Sequence, residues 1–425
     1  MPVNEELMIP KEILDQLERI FEEQKRKNAS SYEFPLVKPT FDFEEIKEAL
    51  ESLLSTKVTM GEKVRNFEAS FAEYIGVRNA IMVNSGSSAN LLAMAILSNS
   101  SIENPLMPND KVIVPALTWS TSVYPIADVG ALPVFADSKL ATLNLDPDSV
   151  RAAITPDVRA IMAVHLIGNP CDMNELNEIC DEHGLYLIED CCEAHGAEFN
   201  GKKVGSFRDL GTYSFFFSHH ISTIEGGMVV TDNDEYAELA RALRAHGWTR
   251  DLVNRKKVES KYANRDPRFL FINRGYNLRP TEIQGAFGIH QIKKLDDFVR
   301  LRRRHASILL DALADAKTDI YVQHEQEGGK HSWFGFPMVL KEGDWDSRSK
   351  VIAGMEKRGV ETRVVMGGNM EVQPARQTYP AMAPVPLNVA NHVDRLGMLI
   401  GVHAEMTDEE CKDLSERIIS ALGEK

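Results

Sequence analysis

The sequence predicts an α/β fold, in which helices cover a mostly parallel central sheet and a smaller α+β domain follows at the C-terminal end. Near-continuous apolar runs alternate with helix-like segments between about residues 80 and 232. Such runs are typical of strands that are buried on both faces of a parallel sheet. At 425 residues the chain is also too long to form one simple hydrophobic core, so we expect a second domain.

Two helical patterns precede the sheet. Residues 9–27 have a charged amphipathic pattern that predicts an added helix, to which we assign no chemistry. A second pattern covers residues 61–74. We expect an N-terminal helical extension over residues 1–34, a large domain over 35–300 and a small domain over 301–425.

Six strand-like runs form the predicted sheet, at residues 111–117, 131–137, 159–168, 185–190, 212–217 and 226–232. Helix-like segments separate several of them, as at residues 88–97 and 174–184. This alternation favours parallel pairing. The late runs are short and rich in β-forming residues, so antiparallel pairing there stays open.

The last part of the chain predicts the smaller domain. A long helical zone at 235–314 precedes a strand-like run at 332–340, and helical patterns follow at 347–358 and 406–422. The last helix begins with acidic residues, which suit the positive end of a helix dipole.

Charge and hydropathy argue against several classes of function. The net charge of −15 opposes a nucleic-acid-binding protein, which needs a basic face. The first residues lack the apolar stretch of a signal peptide, and no apolar run is long enough for a membrane span. We therefore expect a cytoplasmic enzyme with neither nucleic-acid nor membrane partners.

The five cysteines predict neither an iron–sulfur cluster nor a zinc site. Their spacings contain no C-x-x-C or C-x-C pair, and no metal ligand is assigned. The adjacent Cys191 and Cys192 lie in an apolar run, so we interpret them as buried core thiols.

Two polar segments follow predicted strands. VNSGSSAN, at 83–90, places Gly86 and Ser87 directly before an apolar helix, where close backbone approach and free N–H groups favour a phosphate. An ordinary N-cap is the alternative. LIEDCCEAHG, at 187–196, ends a buried strand with Glu189 and Asp190. A carboxylate there could hold a pyridine nitrogen, or it could only cap a helix.

The stretch SFFFSHHISTIEGG places His219 and His220 between aromatic residues and a glycine pair. Neighbouring residues on a strand point to opposite faces, so the two are poor joint metal ligands. A lone histidine is usually structural. A general base is the chemical alternative, because imidazole exchanges protons near neutral pH.

Seven segments in order carry a resemblance to one family. They are NSGSSAN, PALTWSTSVYP, LIGNPCD, EDCCEAHGA, SFFFSHHISTIEGG, RAHGWTRD and GYNLRPTEIQGAFG. Together they resemble the DegT/DnrJ/StrS family of sugar aminotransferases and dehydratases, from about Pro35 to the C-terminus. The resemblance implies pyridoxal-phosphate fold type I, as in aspartate aminotransferase, with residues 35–300 as the cofactor-binding domain.

One position departs from the family pattern. The usual motif has a lysine, five further residues and then Glu-Gly-Gly; here His219 stands in the lysine position before residues 225–227. No lysine occurs between Lys203 and Lys256, so the usual covalent link to pyridoxal 5′-phosphate cannot form. With a histidine at this position, the sequence resembles the branch of the family that lacks the lysine, the 3-dehydratases of deoxysugar pathways.

The resemblance also implies roles at the matching positions. Trp119 would stack on the cofactor ring, Asp190 would hold its protonated nitrogen, and Glu193 would lie beside it. His219 would act as the base.

The remaining implied roles concern phosphates and the substrate. Gly86, Ser87 and Ser214 would hold the cofactor phosphate. Asn277 would reach the phosphate bound by a neighbouring subunit, which implies a homodimer with shared active sites. Arg250 would contact the substrate.

The implied reaction is C3 dehydration (3-deoxygenation) of a nucleotide-linked 4-keto-6-deoxyhexose, with GDP-4-keto-6-deoxymannose as the expected substrate. L-Glutamate would convert pyridoxal 5′-phosphate to pyridoxamine 5′-phosphate. Three other functions stay open: an iron–sulfur dehydrase coupled to a reductase, a nucleotide-sugar aminotransferase, and an inactive cofactor-binding regulatory protein. The cysteine spacing opposes the first and the missing lysine opposes the second.

Overall fold

The computed structural model describes residues 9–423. Their helices are α1 (Lys11–Lys27), α2 (Phe43–Leu54), α3 (Glu62–Ile75), α4 (Gly86–Leu97), α5 (Ser120–Asp128), α6 (Pro147–Ala153), α7 (Met173–His183), α8 (Asp234–Leu243), α9 (Arg255–Glu259), α10 (Glu282–Asp315), α11 (Trp345–Lys357), α12 (Asn388–Leu396) and α13 (Asp408–Leu422). The strands are β1 (Asn79–Val83), β2 (Lys111–Pro115), β3 (Leu132–Ala136), β4 (Val158–Val164), β5 (Tyr186–Asp190), β6 (Glu198–Phe199), β7 (Lys202–Lys203), β8 (Leu210–Ser214), β9 (Gly227–Thr231), β10 (Ile320–Val322), β11 (Gly329–Lys330), β12 (Phe336–Leu340), β13 (Thr362–Arg363) and β14 (Gly397–Ile400).

The central sheet has seven strands in the order β1-β9-β8-β5-β4-β2-β3. The pairs β2–β3, β2–β4, β4–β5 and β5–β8 are parallel, whereas β9 runs antiparallel to both β1 and β8. A parallel return needs a long crossover, usually a helix. The connection at 215–226 between β8 and β9 contains no helix, and the two strands pair antiparallel. The predicted mostly parallel sheet is confirmed.

Helices cover both faces of this sheet, as the apolar strands require. The core on one face joins the sheet to α4, α5 and α8, and the cores on the other face join it to α3, α6 and α7. Strands β8 and β9 are buried along their whole length. These layers hold the carboxyl ends of the parallel strands in fixed positions.

The predicted helical zone at 235–314 is wrong in its middle part. Helix α8 ends at Leu243 and α10 begins at Glu282, and the segment between them is mostly irregular. Gly247 has a φ of 78°, and an added Cβ there would lie 1.8 Å from the Asn273 carbonyl oxygen, so the chain turns where only glycine fits. Proline at position 280 also opposes a continuous helix.

The small domain contains the antiparallel sheet β10-β12-β14-β13. Helix α11 contacts β13 and β14 of this sheet, and α13 packs against both α10 and α11. The predicted strand at 332–340 begins only at Phe336, because Trp333 has a φ of 54° and breaks the extended backbone. The division expected at residue 300 falls within α10, which runs through both domains as one helix.

The N-terminal helix predicted at 9–27 is observed as α1, whose Phe21 ring contacts Phe41 and Phe43. Residues 1–8 of the expected extension lie outside the described residues. Among residues 9–423, every helix is too short or too polar to cross a bilayer.

Candidate active site

A cavity of about 360 Å³ lies where the carboxyl ends of β4, β5 and β8 meet the N-termini of α4 and α5. The connection at 215–226 and the side chains of Phe334, Arg363 and Met366 line its other sides. The carboxyl edge of a parallel sheet is the usual ligand site of such folds. The predicted site residues on this cavity are Gly86, Ser87, Trp119, Asp190, Glu193, Ser214 and His219.

Asp190, at the end of β5, is held by three donors. Its Oδ2 accepts hydrogen bonds from Asn90 Nδ2 at 2.7 Å and Ser122 Oγ at 2.8 Å, and its Oδ1 accepts one from the Cys192 N–H at 3.1 Å. Thr212 Oγ1 donates to Asn90 Oδ1 at 2.6 Å, which fixes the orientation of the amide. This buried carboxylate therefore has a defined position on the cavity, where it can pair with a cationic nitrogen.

The start of α4 forms a cradle that could hold an anion. Ser85 caps the helix and accepts from the Ser88 N–H at 3.1 Å, while Gly86 and Ser87 begin the helix, where the first N–H groups have no intrahelical partner. Gly86 packs closely against β8, because an added Cβ would lie 2.3 Å from Ser214 Cβ. The predicted phosphate residues therefore meet at one place.

The glycine pair after the histidines brings the 215–226 connection against this cradle. A Cβ on Gly227 would lie 2.2 Å from the Ser85 carbonyl oxygen, and a Cβ on Gly226 would lie 2.2 Å from Thr223 Oγ1. Only glycine allows both approaches. Ile224 has a φ of 71°, an uncommon conformation that is typical of constrained functional loops.

His219 lies on this connection and lines the cavity. The edge of its ring meets Phe334 at 5.2 Å between centroids, and its Nδ1 is buried. Burial, with smaller contributions from the positive charges of Arg363 and Arg302, lowers the pKa of His219 to about 3. The imidazole is thus neutral at physiological pH and able to accept a proton.

His220 points away from the cavity into the core. It is fully buried, and its Nε2 lies 3.0 Å from the carbonyl oxygen of Ser332. Of the two adjacent histidines, His219 therefore lines the cavity and His220 does not. We interpret His220 as a structural residue.

Acid should destabilise the protein strongly. Burial is the main cause that lowers the pKa of five histidines below the ordinary range: His195, His219, His220, His331 and His403. The unfolded chain takes up these protons below about pH 6.5 and the folded protein does not, so stability is lost as the pH falls through that value. We expect the urea midpoint to drop steeply between about pH 7 and pH 5. An unchanged midpoint over this range would contradict the burial of neutral histidines.

Glu193 lies at the base of the cavity and is buried. Its Oε2 accepts a hydrogen bond from the Ile167 N–H at 2.7 Å. Burial, assisted by the negative charge of Asp190, raises the pKa of Glu193 to about 8. The side chain is therefore largely protonated at neutral pH and can donate a hydrogen bond into the cavity.

Trp119 and Arg363 form the open side of the cavity. The Trp119 side chain is 47% exposed, so one face of the indole is available to a flat ligand. The Arg363 guanidinium, from β13 of the small domain, lies 6.0 Å from the centre of the Trp119 ring. Arg363 supplies a positive charge to the site.

Asn277 and Arg250 do not lie on this cavity. Both line a second cavity of about 460 Å³, with Trp248, Arg65 and Arg279 among its other residues. Asn277 Oδ1 accepts a hydrogen bond from Arg279 Nε at 3.0 Å. The structure thus groups these two predicted residues together in a basic recess that is separate from His219.

Several residues on or near the first cavity were missed by the sequence analysis. Asn90 and Ser122 could have been found, because they follow Gly86 and Trp119 by about one helical turn within segments already recognised. Cys192 lines the cavity, so the interpretation of both adjacent cysteines as core thiols is wrong for this one. Arg363 carries no local signal, since only the packing of the two domains brings it here.

The residues on the first cavity fit pyridoxal 5′-phosphate. Asp190 offers a buried carboxylate for a ring nitrogen, Trp119 an open aromatic face, and the start of α4 a cradle that a Cβ on Gly86 would fill. Among the described residues that line this cavity there is no lysine. The fit is therefore to a cofactor held without a covalent link.

Comparisons with known proteins identify relatives of this chain. Residues 39–419 match the model of the DegT/DnrJ/EryC1/StrS aminotransferase family. The GDP-4-keto-6-deoxy-D-mannose 3-dehydratase of Yersinia pseudotuberculosis is 37% identical over 385 residues, which cover 90% of this chain and 97% of that protein. The enzyme of the same name from Escherichia coli O55:H7 is 39% identical over 381 residues, covering 88% and 97%.

A solved structure of a similar protein has the same fold as this chain. GDP-4-keto-6-deoxymannose-3-dehydratase with a trapped PLP-glutamate geminal diamine superposes with a TM-score of 0.85 at 37% identity, covering 91% of this chain and all of that one. The resemblance seen in the sequence and the expected aminotransferase fold are both confirmed. The chain belongs to the DegT/DnrJ/EryC1/StrS aminotransferase family.

Proposed function

We propose that this protein is a nucleotide-sugar 3-dehydratase. It removes the C3 hydroxyl of a nucleotide-linked 4-keto-6-deoxyhexose, GDP-4-keto-6-deoxymannose, with pyridoxal or pyridoxamine 5′-phosphate as cofactor and L-glutamate as amino donor. The observation that carries the proposal is His219, a neutral imidazole on the cofactor cavity at the position of the family's lysine. The names of the relatives supply the sugar, and the trapped adduct of the neighbour supplies the donor.

The bound cofactor supplies an amine that condenses with a ketone and a ring that accepts electrons. Asp190 holds the proton on the ring nitrogen, because its charged oxygens stabilise a cation there. Trp119 orients the ring from one face. Gly86 and Ser87 bind the phosphate through the N-terminus of α4, with Ser214 beside them.

His219 moves the proton. Its buried Nδ1 leaves Nε2 as the nitrogen that serves the cavity, and the low pKa keeps that nitrogen free to accept a proton. Imidazole cannot replace the amine of a lysine in a Schiff base, so His219 does not compete for the cofactor's carbon. Glu193, largely protonated, offers a hydrogen-bond donor at the same cavity.

The iron–sulfur alternative finds no support in the side chains. Among residues 9–423, the only group with three metal-ligand atoms within 4.8 Å of one another is His165, Glu189 and Cys191. It contains one cysteine, and Glu189 already accepts from the N–H groups of Gly205 and Phe207, each at 2.7 Å. A thiolate-bound cluster needs several cysteines together.

We also propose a homodimer in which each subunit completes the other's site. The support is the separation of Asn277 and Arg250 from the His219 cavity of the same chain. Their basic recess suits phosphate groups, which both the cofactor and the sugar nucleotide carry. The cytoplasmic location stays a prediction from the sequence.

Substitution of Gly86 by alanine is expected to weaken cofactor binding by about tenfold or more. This corresponds to a loss of about 1.4 kcal/mol or more of binding free energy. The reason is the 2.3 Å approach of the new Cβ to Ser214 Cβ, which forces the start of α4 away from β8. Titration of pyridoxal 5′-phosphate by absorbance measures the effect. Ser87→Ala removes one exposed hydroxyl without moving the backbone and should have a smaller effect; equal affinities in Gly86→Ala and the unmodified protein would contradict the cradle.

The products of glutamate turnover test the proposed function. A dehydratase of this kind releases ammonia and 2-oxoglutarate in equal amounts when the keto sugar nucleotide is present. An aminotransferase keeps the nitrogen in the sugar and releases 2-oxoglutarate without ammonia. Equal amounts of both products, with no reductase added, are expected; 2-oxoglutarate alone would overturn the proposal.

A further inference from the structure

Three histidine rings lie together at the cavity: His219 lines it, and His195 and His220 lie next to one another in the core. The His195 ring centre is 6.1 Å from that of His219 and 5.6 Å from that of His220. His195 and His220 are fully buried. None of the functions proposed above uses His195.

Four ring nitrogens of this group have no hydrogen-bond partner among the described residues: both nitrogens of His195, Nδ1 of His219 and Nδ1 of His220. A buried polar atom left in this way destabilises the folded protein. Proteins usually satisfy such atoms with a buried water that makes about three hydrogen bonds. The three rings are close neighbours, with the His195 ring centre 5.6 Å from that of His220 and 6.1 Å from that of His219, so one bridging water can serve more than one of them.

The direction of each hydrogen bond can be worked out from the surrounding groups. His220 Nε2 faces the Ser332 carbonyl oxygen, which only accepts, so Nε2 carries the hydrogen and the Nδ1 of neutral His220 is an acceptor. His195 is neutral as well, because burial lowers its pKa well below the ordinary range, and a neutral imidazole carries a hydrogen on only one of its two nitrogens. The other nitrogen of His195 is then an acceptor as well.

We infer that one ordered water lies among His195, His219 and His220, and that His195 is a positioning residue for the base. The water donates its two hydrogens to the acceptor nitrogens of His195 and His220. Its lone pair then accepts from His219 Nδ1, which must carry a hydrogen. This fixes His219 in the Nδ1–H tautomer, with an unprotonated Nε2 toward the cavity.

The catalytic consequence rests on the proposed function. A base must present a lone pair, and the partner of the opposite ring nitrogen decides which nitrogen does so. When Nε2 takes up a proton, the Nδ1–H stays bonded to the water, and the same proton leaves from Nε2 when the ring acts as an acid. In the reverse tautomer the hydrogen on Nε2 would block this transfer.

The tautomer of His219 can be read by NMR in holoenzyme labelled with ¹⁵N-histidine, before any sugar is added. The His219 signals are assigned by their loss in His219→Gln. We expect the Nδ1–H form in the unmodified protein. In His195→Phe, which keeps the ring contacts with Tyr213 and Phe215, we expect a mixture with the Nε2–H form. The kcat should fall about tenfold or more, with little change in KM.

Two further variants separate positioning from packing. His195→Gln keeps an amide that can bind the water and should restore the Nδ1–H form. Tyr213 packs against His195, and its hydroxyl donates a hydrogen bond to the Val204 carbonyl oxygen. Tyr213→Phe removes only this hydroxyl, so it should leave the tautomer of His219 unchanged. An Nε2–H form in the unmodified protein, or an unaltered tautomer in folded His195→Phe, would overturn the inference. An Nδ1–H form in a protein that does not dehydrate the sugar would instead refute the proposed function and leave the tautomer assignment intact.

Discussion

The variant His219→Lys is expected to bind pyridoxal 5′-phosphate covalently and to lose most dehydratase activity, by about 10²-fold or more. The lysine amine would stand on the cofactor cavity, where the described lining residues offer no other primary amine. Burial beside Arg363 and Arg302 favours a neutral amine, which is the form that attacks an aldehyde. Borohydride reduction followed by mass spectrometry of the intact protein measures the link.

The matched control is His219→Gln, which removes the base without adding an amine. It should lose dehydration to a similar degree and show no covalent cofactor. Full dehydratase activity in either variant would remove His219 from the central role. A covalent cofactor in the unmodified protein would show that another amine reaches the site.

Asp190→Asn is expected to reduce turnover by about 10²–10³-fold, the usual effect of removing one electrostatic stabiliser. The amide has nearly the size of the carboxylate but carries no charge to hold a proton on the ring nitrogen. Cofactor affinity should fall as well. A titration with pyridoxal 5′-phosphate and the rate of 2-oxoglutarate release measure the two effects.

The neighbouring residue provides the control, because adjacent positions on β5 face opposite ways. Glu189 accepts hydrogen bonds from Gly205 and Phe207, and its Oε2 lies 3.2 Å from His165 Nε2. Glu189→Gln should therefore lower stability by about 1–3 kcal/mol and leave cofactor affinity nearly unchanged. Similar losses of affinity in the two variants would contradict the distinct role of Asp190.

Much of the fold could be predicted because local patterns determine it. The buried strands β2, β4 and β5 are short apolar runs between turns, and α4 and α7 follow from helical periodicity and their caps. The antiparallel direction of β9 could not be predicted, since it depends on how the 215–226 connection returns. The irregular segment between α8 and α10 also escaped detection, because its polar composition resembles that of a surface helix.

The candidate site could likewise be predicted only in part. Residues on the motif segments, such as Gly86, Asp190 and His219, were found because the chemistry needs particular side chains at particular strand ends. Arg363 was not found as a site residue, because it reaches the site only through tertiary packing. His195 lies within the quoted segment EDCCEAHGA, but nothing in the sequence shows that its ring lies next to that of His219. The two predicted residues Asn277 and Arg250 share a separate recess, and the dimer remains a proposal.

Mass spectrometry of the sugar nucleotide is the most direct test of the central claim that a histidine in the lysine position produces a dehydratase. The reaction contains the purified protein, pyridoxal 5′-phosphate, L-glutamate and GDP-4-keto-6-deoxymannose, with no reductase. We predict a product lighter than the substrate by one oxygen atom, which reports removal of the C3 hydroxyl. A product with an amino group in place of the C4 ketone would contradict the account, because the sugar would then have been transaminated without the lysine.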